Sequence, residues 1–399
     1  MGQKKKKLLI VGGGYADIPL IQSAKKLGFY VITTGNRPED LGHRYSDEYR
    51  NVDFSDCEAI YTLAKNLDVS AICPSCNDFA ALSATYSAEK LGIPGHDTYQ
   101  TSKILHHKDE FRRFAMANNI PSPKAIGFDN IKLALEYSDL PTFPVIVKPI
   151  DLTGGKGISV VNRKDELIEA VEKAFAVSKN KRIVIEEFIS GSRHGFSAFL
   201  YKGKVGFYFS DNEHYYLNPY MVSATSTPII PSRRVDEKLI NITERIASLL
   251  SLTDGIFHVQ YILKDNEPII IEICRRPPGD LYIKFVEYAT KVDYSTWIVK
   301  AFTGDDCGEI EHSDTQGFFT RHCIMSSKPG RIKDISFDQS IQKNIINKFT
   351  WYKKGDIIEN VMINKFGIVF LEFEKHEEMM DKTNNLNELI RVEVDLENK

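Results

Sequence analysis

The chain has 399 residues, of which 42% are hydrophobic and 26% charged, a composition ordinary for a globular protein with a sizeable core. A formal net charge of -3 argues against the broad basic surface of nucleic-acid-binding proteins. Six cysteines are too few for a disulfide framework, and no apolar run is long enough for a membrane span, so we expect a cytoplasmic protein with neither nucleic-acid nor membrane partners.

The first hundred residues alternate apolar strands with helical patterns. Strands are predicted at 7–11, 29–34 and 69–73, and helices over 17–27, 58–67 and 78–91. This alternation predicts an α/β fold with a parallel, Rossmann-like sheet. Ligands of such sheets bind at the carboxyl ends of strands, and the candidate substrate-binding residues there are Gly13, Gly14, Asn36, Asn77 and Asp78. Capping of the third helix is an alternative role for Asp78.

The first glycine turn does not complete a dinucleotide-binding fingerprint. Asp17 occupies the place of the third glycine, and no acidic residue ends the second strand. A nicotinamide or flavin cofactor is therefore disfavoured. A phosphate or carboxylate of another substrate at this helix N-terminus stays open.

The central region carries a second set of candidate ligand residues. Lys148 ends an apolar strand, and the loop Gly154–Gly157 follows it between two strands. Glycines let backbone N–H groups approach a phosphate, although a hairpin turn also explains them. The strand 183–188 includes Glu186 and Glu187, which can present a backbone edge and a carboxylate to adenine or can lie at the protein surface.

A β-hairpin is predicted within residues 258–280, with a loop of four to five residues at Lys264–Glu267. Glu272 lies between isoleucines in its second strand, and Arg275 and Arg276 follow that strand. A buried carboxylate requires a partner, a metal or water, whereas the alternation rule also allows Glu272 to point outward.

In order and spacing, Lys108, the Lys148 strand, the glycine loop, the Glu186 strand and the hairpin resemble the ATP-grasp superfamily. The resemblance is to its carboxylate–amine ligase branch, which includes biotin carboxylase and carbamoyl-phosphate synthase. It implies an ATP-grasp fold with four parts: an N-terminal parallel-sheet (pre-ATP-grasp) domain over 1–105, a lid subdomain over 106–190, a large subdomain with the metal site over 191–310, and a β-rich C-terminal cap completing an α+β lobe over 311–399.

The resemblance also implies an ATP site. Two lysines contact the phosphates, the glycine loop covers them, a strand edge and its first glutamate read adenine, and apolar side chains enclose the base. His194 stands in for a ribose-binding glutamate that the chain lacks, or has a purely structural role. The implied set is Lys108, Ile146, Lys148, Gly154, Gly155, Gly157, Glu186, Glu187, Ile189, His194 and Ile262.

In the family, the hairpin holds two Mg²⁺ ions on the triphosphate. Glu272 matches the bridging glutamate, and Gln260 occupies the place of a second carboxylate. Cys274 replaces an asparagine, and because a thiolate suits magnesium poorly we expect it not to be a ligand. The implied metal site therefore has one negative charge fewer than a typical member.

The implied activity is that of an ADP-forming ligase. A substrate carboxylate takes the γ-phosphoryl group of ATP, and an amine then displaces phosphate to form an amide. Arg276 is expected on the acyl-phosphate oxygens and Arg275 is the second catalytic candidate, although neighbouring strand residues face opposite sides and only one can face the site.

The expected partners are a small-molecule carboxylate and an amine. The acid is expected to be an amino acid or a sugar acid, and base rates favour a homodimer. Two alternatives stay open. One is a catalytically silent ATP-binding regulatory module, suggested by Gln260 and Cys274. The other is an ATP-grasp kinase that phosphorylates a hydroxyl group.

Overall fold

A computed structural model describes residues 5–136, 143–152, 155–229, 233–308 and 310–395. Within these ranges the strands form four sheets. No helix in the described ranges has the length and apolar character needed to cross a membrane.

The N-terminal sheet is parallel, as predicted, with strand order β3-β2-β1-β4. Its central strand is completely buried from Leu8 to Val11, because helices cover both faces. The helices begin and end within one residue of the predicted positions. The elements are β1 (Lys7–Val11), α1 (Ile18–Lys26), β2 (Tyr30–Thr34), β3 (Glu48–Arg50), α2 (Cys57–Leu67), β4 (Ala71–Pro74) and α3 (Asp78–Leu91).

The second sheet is antiparallel, with strand order β5-β8-β6-β7. Helix α7 packs its apolar face, including Val171, on Val147 and Ile185 of this sheet. The elements of this part are α4 (Tyr99–His106), α5 (Lys108–Ala117), β5 (Ala125–Phe128), α6 (Ile131–Glu136), β6 (Val145–Pro149), β7 (Ser159–Val161), α7 (Leu167–Val177) and β8 (Ile183–Glu187).

The third sheet has eight strands, in the order β13-β12-β9-β10-β11-β14-β18-β16, and a three-stranded sheet, β17-β15-β19, lies beside it. The elements are β9 (Ser192–Tyr201), β10 (Lys204–Tyr215), β11 (Val222–Thr227), α8 (Arg233–Leu250), β12 (Gly255–Lys264), β13 (Glu267–Cys274), α9 (Tyr282–Thr290), α10 (Tyr294–Thr303), β14 (Phe318–Ile324), β15 (Gly330–Phe337), α11 (Gln339–Gln342), β16 (Ile345–Thr350), β17 (Ile357–Ile358), β18 (Gly367–Phe373), α12 (His376–Leu389) and β19 (Ile390–Asp395).

Strand β14 pairs with β11, so the C-terminal region extends the large sheet. The predicted boundaries at 105 and 190 fall between sheets, whereas the sheet continues across the boundary at 310. The four-part division of the chain stays a prediction.

The predicted hairpin is β12–β13, but its loop is shorter than expected. Lys264 pairs with Glu267, which leaves Asp265 and Asn266 as a two-residue turn. Both adopt left-handed backbone angles, with φ of 52° and 62°. Asp and Asn tolerate this conformation, and it matches the twist of the flanking strands.

One hydrophobic cluster joins the N-terminal sheet to the large sheet. It contains Leu8 and Leu20 from the first domain, Phe285 from α9, and Phe207 and Phe319 from the large sheet. This shared core fixes the carboxyl ends of β1–β4 beside the hairpin.

Candidate active site

A cleft of about 140 Å³ lies between the second and third sheets. It brings together most of the residues that the resemblance implied for ATP and metal. The cleft is lined by Lys108, Ile146, Lys148, Ile158, Glu186, Glu187, Phe188, Ile189, Arg193, Glu213, Tyr215, Tyr220, Gln260, Tyr261, Ile262, Ile271 and Glu272, together with Pro123.

Glu186 is fully buried at the base of this cleft. Its carboxylate lies 2.7 Å from Lys148 Nζ and 3.1 Å from Arg112 Nε. Burial alone would raise the pKa of Glu186, but Arg112 and Lys148 together lower that pKa to about 2. The carboxylate is therefore paired with two cations, and the contact with adenine expected for its side chain stays a prediction. The backbone edge of β8 and the side chain of Glu187 remain available to contact adenine.

Arg112 was missed in the sequence. It lies on α5 and is 2% exposed, and its Nη2 also donates to the carbonyl of Ile271 at 2.7 Å. The only local feature of the sequence that could have indicated this buried role is an arginine on the apolar side of an amphipathic helix. Together, Arg112 and Glu186 connect α5, the second sheet and the hairpin.

Lys108 and Glu272 form an ion pair of 3.6 Å at the phosphate end of the cleft. Burial by itself would lower the pKa of Lys108, but the field of Glu272 raises it, so the ammonium is charged at neutral pH. Lys108 Nζ also donates to the carbonyl of Leu152 at 3.4 Å. Two lysines, Lys108 and Lys148, thus provide positive charge for a polyphosphate.

Gln260 lies directly opposite Glu272 in the hairpin. Its amide Nε2 donates to Glu213 Oε1 at 2.6 Å, so the amide oxygen alone remains for a metal. Glu213, on β10, was missed in the sequence. Cys274 is 4% exposed and burial raises the pKa of its thiol, which supports the expectation that it is not a metal ligand.

Glu213, Gln260 and Glu272 line the same cleft, and hard oxygen ligands suit Mg²⁺. Among the described residues, no group of three His, Cys, Asp or Glu side chains could hold a metal ion by itself. By donor type, the carboxylate of Glu272 and the amide oxygen of Gln260 suit Mg²⁺, which usually keeps several waters and binds substrate phosphates.

A second cavity, of about 160 Å³, continues beyond Glu213, Gln260 and Glu272. We call it the acid cavity. Three cationic side chains line it: Arg276, Arg321 and Lys365. Asp280 orients two of them, since its carboxylate lies 2.5 Å from Lys365 Nζ and its carbonyl accepts from Arg321 at 2.9 Å. Arg321 and Lys365 come from the predicted C-terminal cap and were missed.

The two neighbouring arginines have separate roles. Arg275 is buried, and it donates to Asp97 and to the carbonyl groups of Thr253 and Ile256. It is a structural residue, so its candidacy as a catalytic residue was wrong. Arg276 lines the acid cavity.

Arg276 makes a two-pronged contact with Asp78. Its Nε and Nη2 each donate to the carboxylate at 2.9 Å. His106 Nδ1 lies 3.0 Å from the same carboxylate. Burial would raise the pKa of Asp78, but the field of Arg276 lowers it well below its usual range. Asn77 caps α3, accepting from the backbone N–H of Phe79 at 2.9 Å, so the capping role considered for Asp78 belongs to Asn77. The substrate-binding roles expected for Asn77 and Asp78 stay predictions.

Three other predicted substrate residues lie away from the cavities. Gly13 is buried beneath His43, and a Cβ atom on it would lie 2.1 Å from that imidazole. The N–H of Gly14 donates to Asp17 at 2.8 Å. Asn36 is exposed. The 3-10 helix Leu41–Tyr45 covers the glycine turn, which a strand-by-strand prediction could not foresee.

The contacts of His194 fit the structural role that the sequence left open beside ribose binding. Its Nε2 lies 2.7 Å from Ser192 Oγ, and its ring stacks on Tyr261. The neighbouring Arg193 lines the cleft instead. In the glycine loop, Gly155 and Gly157 have positive φ angles of 79° and 72°, which favour glycine, while Gly154 lies outside the described residues.

Solved structures share this architecture over nearly the whole chain. An L-amino acid ligase from Bacillus licheniformis superposes with a TM-score of 0.80 at 18% identity, covering 99% of this chain and 100% of that one. A biotin carboxylase domain from Hydrogenobacter thermophilus, in complex with MgADP and bicarbonate, superposes with a TM-score of 0.77 at 16% identity, covering 98% and 91%. The chain therefore has the fold of these proteins, the ATP-grasp fold.

The matching family model is the ATP-grasp (A) domain of phosphoribosylglycinamide synthetase, over residues 107–218. The large chain of carbamoyl phosphate synthase from Clostridium beijerinckii is 22% identical over 320 residues, which are 74% of this chain and 29% of that relative. The chain thus spans less than a third of that relative's length. ATP and Mg²⁺ are the nucleotide and metal expected at this site.

Proposed function

We propose that the protein is an ADP-forming carboxylate–amine ligase that activates a small polar acid as an acyl phosphate. The observation that supports this proposal most directly is that the two cavities are connected. Glu213, Gln260 and Glu272 line both the ATP cleft and the acid cavity, so a γ-phosphoryl group at the end of the cleft would face an acid held by Arg276.

Positioning and charge neutralisation supply the catalysis in this proposal. Lys108 and Lys148 bind the phosphates of ATP. Glu272, Glu213 and the oxygen of Gln260 would hold Mg²⁺, which neutralises charge on the transferred group. Arg276 binds the acid and then the acyl-phosphate oxygens with the Nη hydrogens that are not donated to Asp78 or to the carbonyl of Pro277.

The charges of the acid cavity support an amino acid as the substrate. Arg276, Arg321 and Lys365 are positive, while Glu213, Glu272 and Asp280 are carboxylates, so the wall has both signs. A zwitterion, which has one charge of each sign, is more complementary to such a wall than an acid with several negative charges. A sugar acid is the second candidate, because its hydroxyl groups also find donors and acceptors there.

Phosphate release from ATP, measured with a panel of amino acids and sugar acids in the presence of hydroxylamine, tests the proposal. Hydroxylamine traps acyl phosphates as hydroxamates without requiring the natural amine. We expect hydroxamate from at least one acid. ATP binding with no hydroxamate across the panel would favour the silent regulatory module, and a phosphorylated alcohol as product would favour the kinase.

A further inference from the structure

A third cavity, of about 310 Å³, opens between the N-terminal domain and the second sheet. It shares Lys108 and Glu272 with the ATP cleft. It also includes Asp78, whose carboxylate holds Arg276 of the acid cavity. Three separate cavities therefore meet around Glu272, at the place where the phosphoryl group is transferred in the proposed reaction.

We propose that this third cavity binds the amine that attacks the acyl phosphate. The inference rests on the proposed ligase function, which requires three ligands. ATP and the acid account for two of the cavities, and the third one reaches the same centre from a different side.

One part of the wall of the third cavity is apolar, and this part suits an amine on an apolar body. Phe79, Leu82 and Tyr99 from the N-terminal domain and Leu152 from the loop after β6 are half-buried side chains that line it. Burial of an apolar group against them is favourable by about 25 cal/mol for each Å² of area removed from water.

Charged groups of both signs line the third cavity. Lys108 and Lys179 are cations, and Lys179 Nζ lies 5.2 Å from the centre of the Phe79 ring. Asp78, Asp151 and Glu272 are carboxylates of the same wall, and two of them are paired, Asp78 with Arg276 and Glu272 with Lys108. The wall therefore offers carboxylates to a bound amine as well as cations, and the neutral amine carries the lone pair needed for attack.

Attack of the amine on the acyl phosphate requires no further reactant. The nitrogen lone pair forms a bond to the acyl carbon. The bond between that carbon and the phosphate oxygen breaks, and its electron pair leaves with phosphate. One proton of the amine nitrogen passes to the released phosphate, giving an amide and hydrogen phosphate.

Cys57 provides a binding assay that does not depend on turnover. Its thiol is half-buried and lines the third cavity. Four other cysteines are buried, and Cys76 is the second half-buried one, so a Cys76→Ser background leaves Cys57 as the accessible thiol. With a non-hydrolysable ATP analogue and Mg²⁺ present, we expect phenethylamine and related apolar amines to slow N-ethylmaleimide labelling of Cys57. Ethanolamine is the matched polar control.

A substitution that fills the cavity tests its role in turnover. We expect Leu82→Trp to lower phosphate release with apolar amines at least about tenfold, the scale of discrimination of apolar pockets, while hydroxamate formation with hydroxylamine falls much less. Tyr86→Trp, on the same helix and outside the cavity, is the matched control.

The outcomes separate the two proposals. Absence of hydroxamate in the unmodified protein would overturn the ligase function, while Cys57 labelling still reports whether the cavity binds amines. Labelling that no amine of the panel slows, or an equal fall of both reactions in Leu82→Trp, would overturn the amine site.

Discussion

Gln260 and Glu213 are joined by a hydrogen bond of 2.6 Å although β9 lies between their strands. The amide therefore lies beside a carboxylate that the hairpin sequence does not contain. Burial raises the pKa of Glu213, while hydrogen bonds from Tyr215 and Gln260 oppose that rise. In the proposed function, Glu213 would supply the negative charge that is missing at Gln260.

Glu213→Gln is expected to weaken metal binding. Removal of one carboxylate from the wall should reduce Mn²⁺ affinity about 10–100-fold, as loss of residues around a metal site does. Electron paramagnetic resonance of Mn²⁺ with a non-hydrolysable ATP analogue measures this affinity. The charge exchange Glu213→Gln with Gln260→Glu should restore most of it. Equal affinity in Glu213→Gln and the unmodified protein would contradict the assignment.

Glu272→Gln is expected to abolish ATP turnover while leaving the fold intact. Glu272 is half-buried and contacts all three cavities, and its substitution removes the charge that pairs with Lys108 and faces the metal. Phosphate release measures turnover, and circular dichroism during heating checks the fold. Normal ATP consumption in the presence of substrate would refute the metal role.

Glu186→Gln is expected to destabilise the protein. It leaves Arg112 and Lys148, 2% and 8% exposed, without their shared carboxylate. Breaking a buried ion pair in this way typically costs about 3–5 kcal/mol. Urea unfolding measures the change, with Glu187→Gln at the half-buried next position as the control. If the free energy of unfolding falls no more in Glu186→Gln than in Glu187→Gln, the buried ion pair contributes little to stability.

The ionised carboxylate of Glu186 is expected to make part of the free energy of unfolding sensitive to acid. The pKa of Glu186 is lowered to about 2 in the folded protein, below its value of ~4.3 in an unfolded chain. Its contribution is therefore present above pH ~4.3 and is lost as the pH falls towards 2. Between pH 5 and pH 3, the free energy of unfolding should fall more steeply in the unmodified protein than in Glu186→Gln. Parallel pH profiles would contradict this origin.

Asp78→Asn is expected to lower kcat through Arg276. Asp78 holds two donors of the guanidinium group, and the amide can accept only one of them well. Displacement of a positioning group by about 1 Å can cost about 100-fold in rate, so we expect a fall of 10–100-fold in kcat with little change in KM for ATP. Asn77→Asp keeps the helix cap and should retain activity. A change confined to KM for ATP would contradict the positioning role.

The residues that could be predicted from the sequence lie in continuous segments. Lys148, Glu186 and Glu272 each lie on an apolar strand that the local sequence pattern predicts, and the order of those strands carries the resemblance to the ATP-grasp superfamily. The parallel sheet and its helices followed from local periodicity for the same reason. Strand alternation also separated Arg275 from Arg276.

The residues that were missed reach the site only through tertiary pairing. Arg112 is brought in by helix packing, Glu213 by the pairing of β10 with β9, and Arg321 and Lys365 by the joining of the C-terminal strands to the large sheet. No local pattern carries this information. The positions assigned to Gly13 and Gly14 were wrong because the 3-10 helix that covers them has no strong local signature.

The extent of the large sheet determines the shape of the acid cavity. Glu272 on β13 and Arg321 on β14 are five strand positions apart, yet both line the same cavity of about 160 Å³. In a flat sheet, a spacing of about 4.8 Å between strands would separate them by roughly 24 Å. The sheet must therefore curl around this cavity, and a register shift such as that between His214 and Tyr215 increases local twist and bending. The volume of this cavity is thus a property of the bending of a whole sheet, and residues outside its wall can alter it.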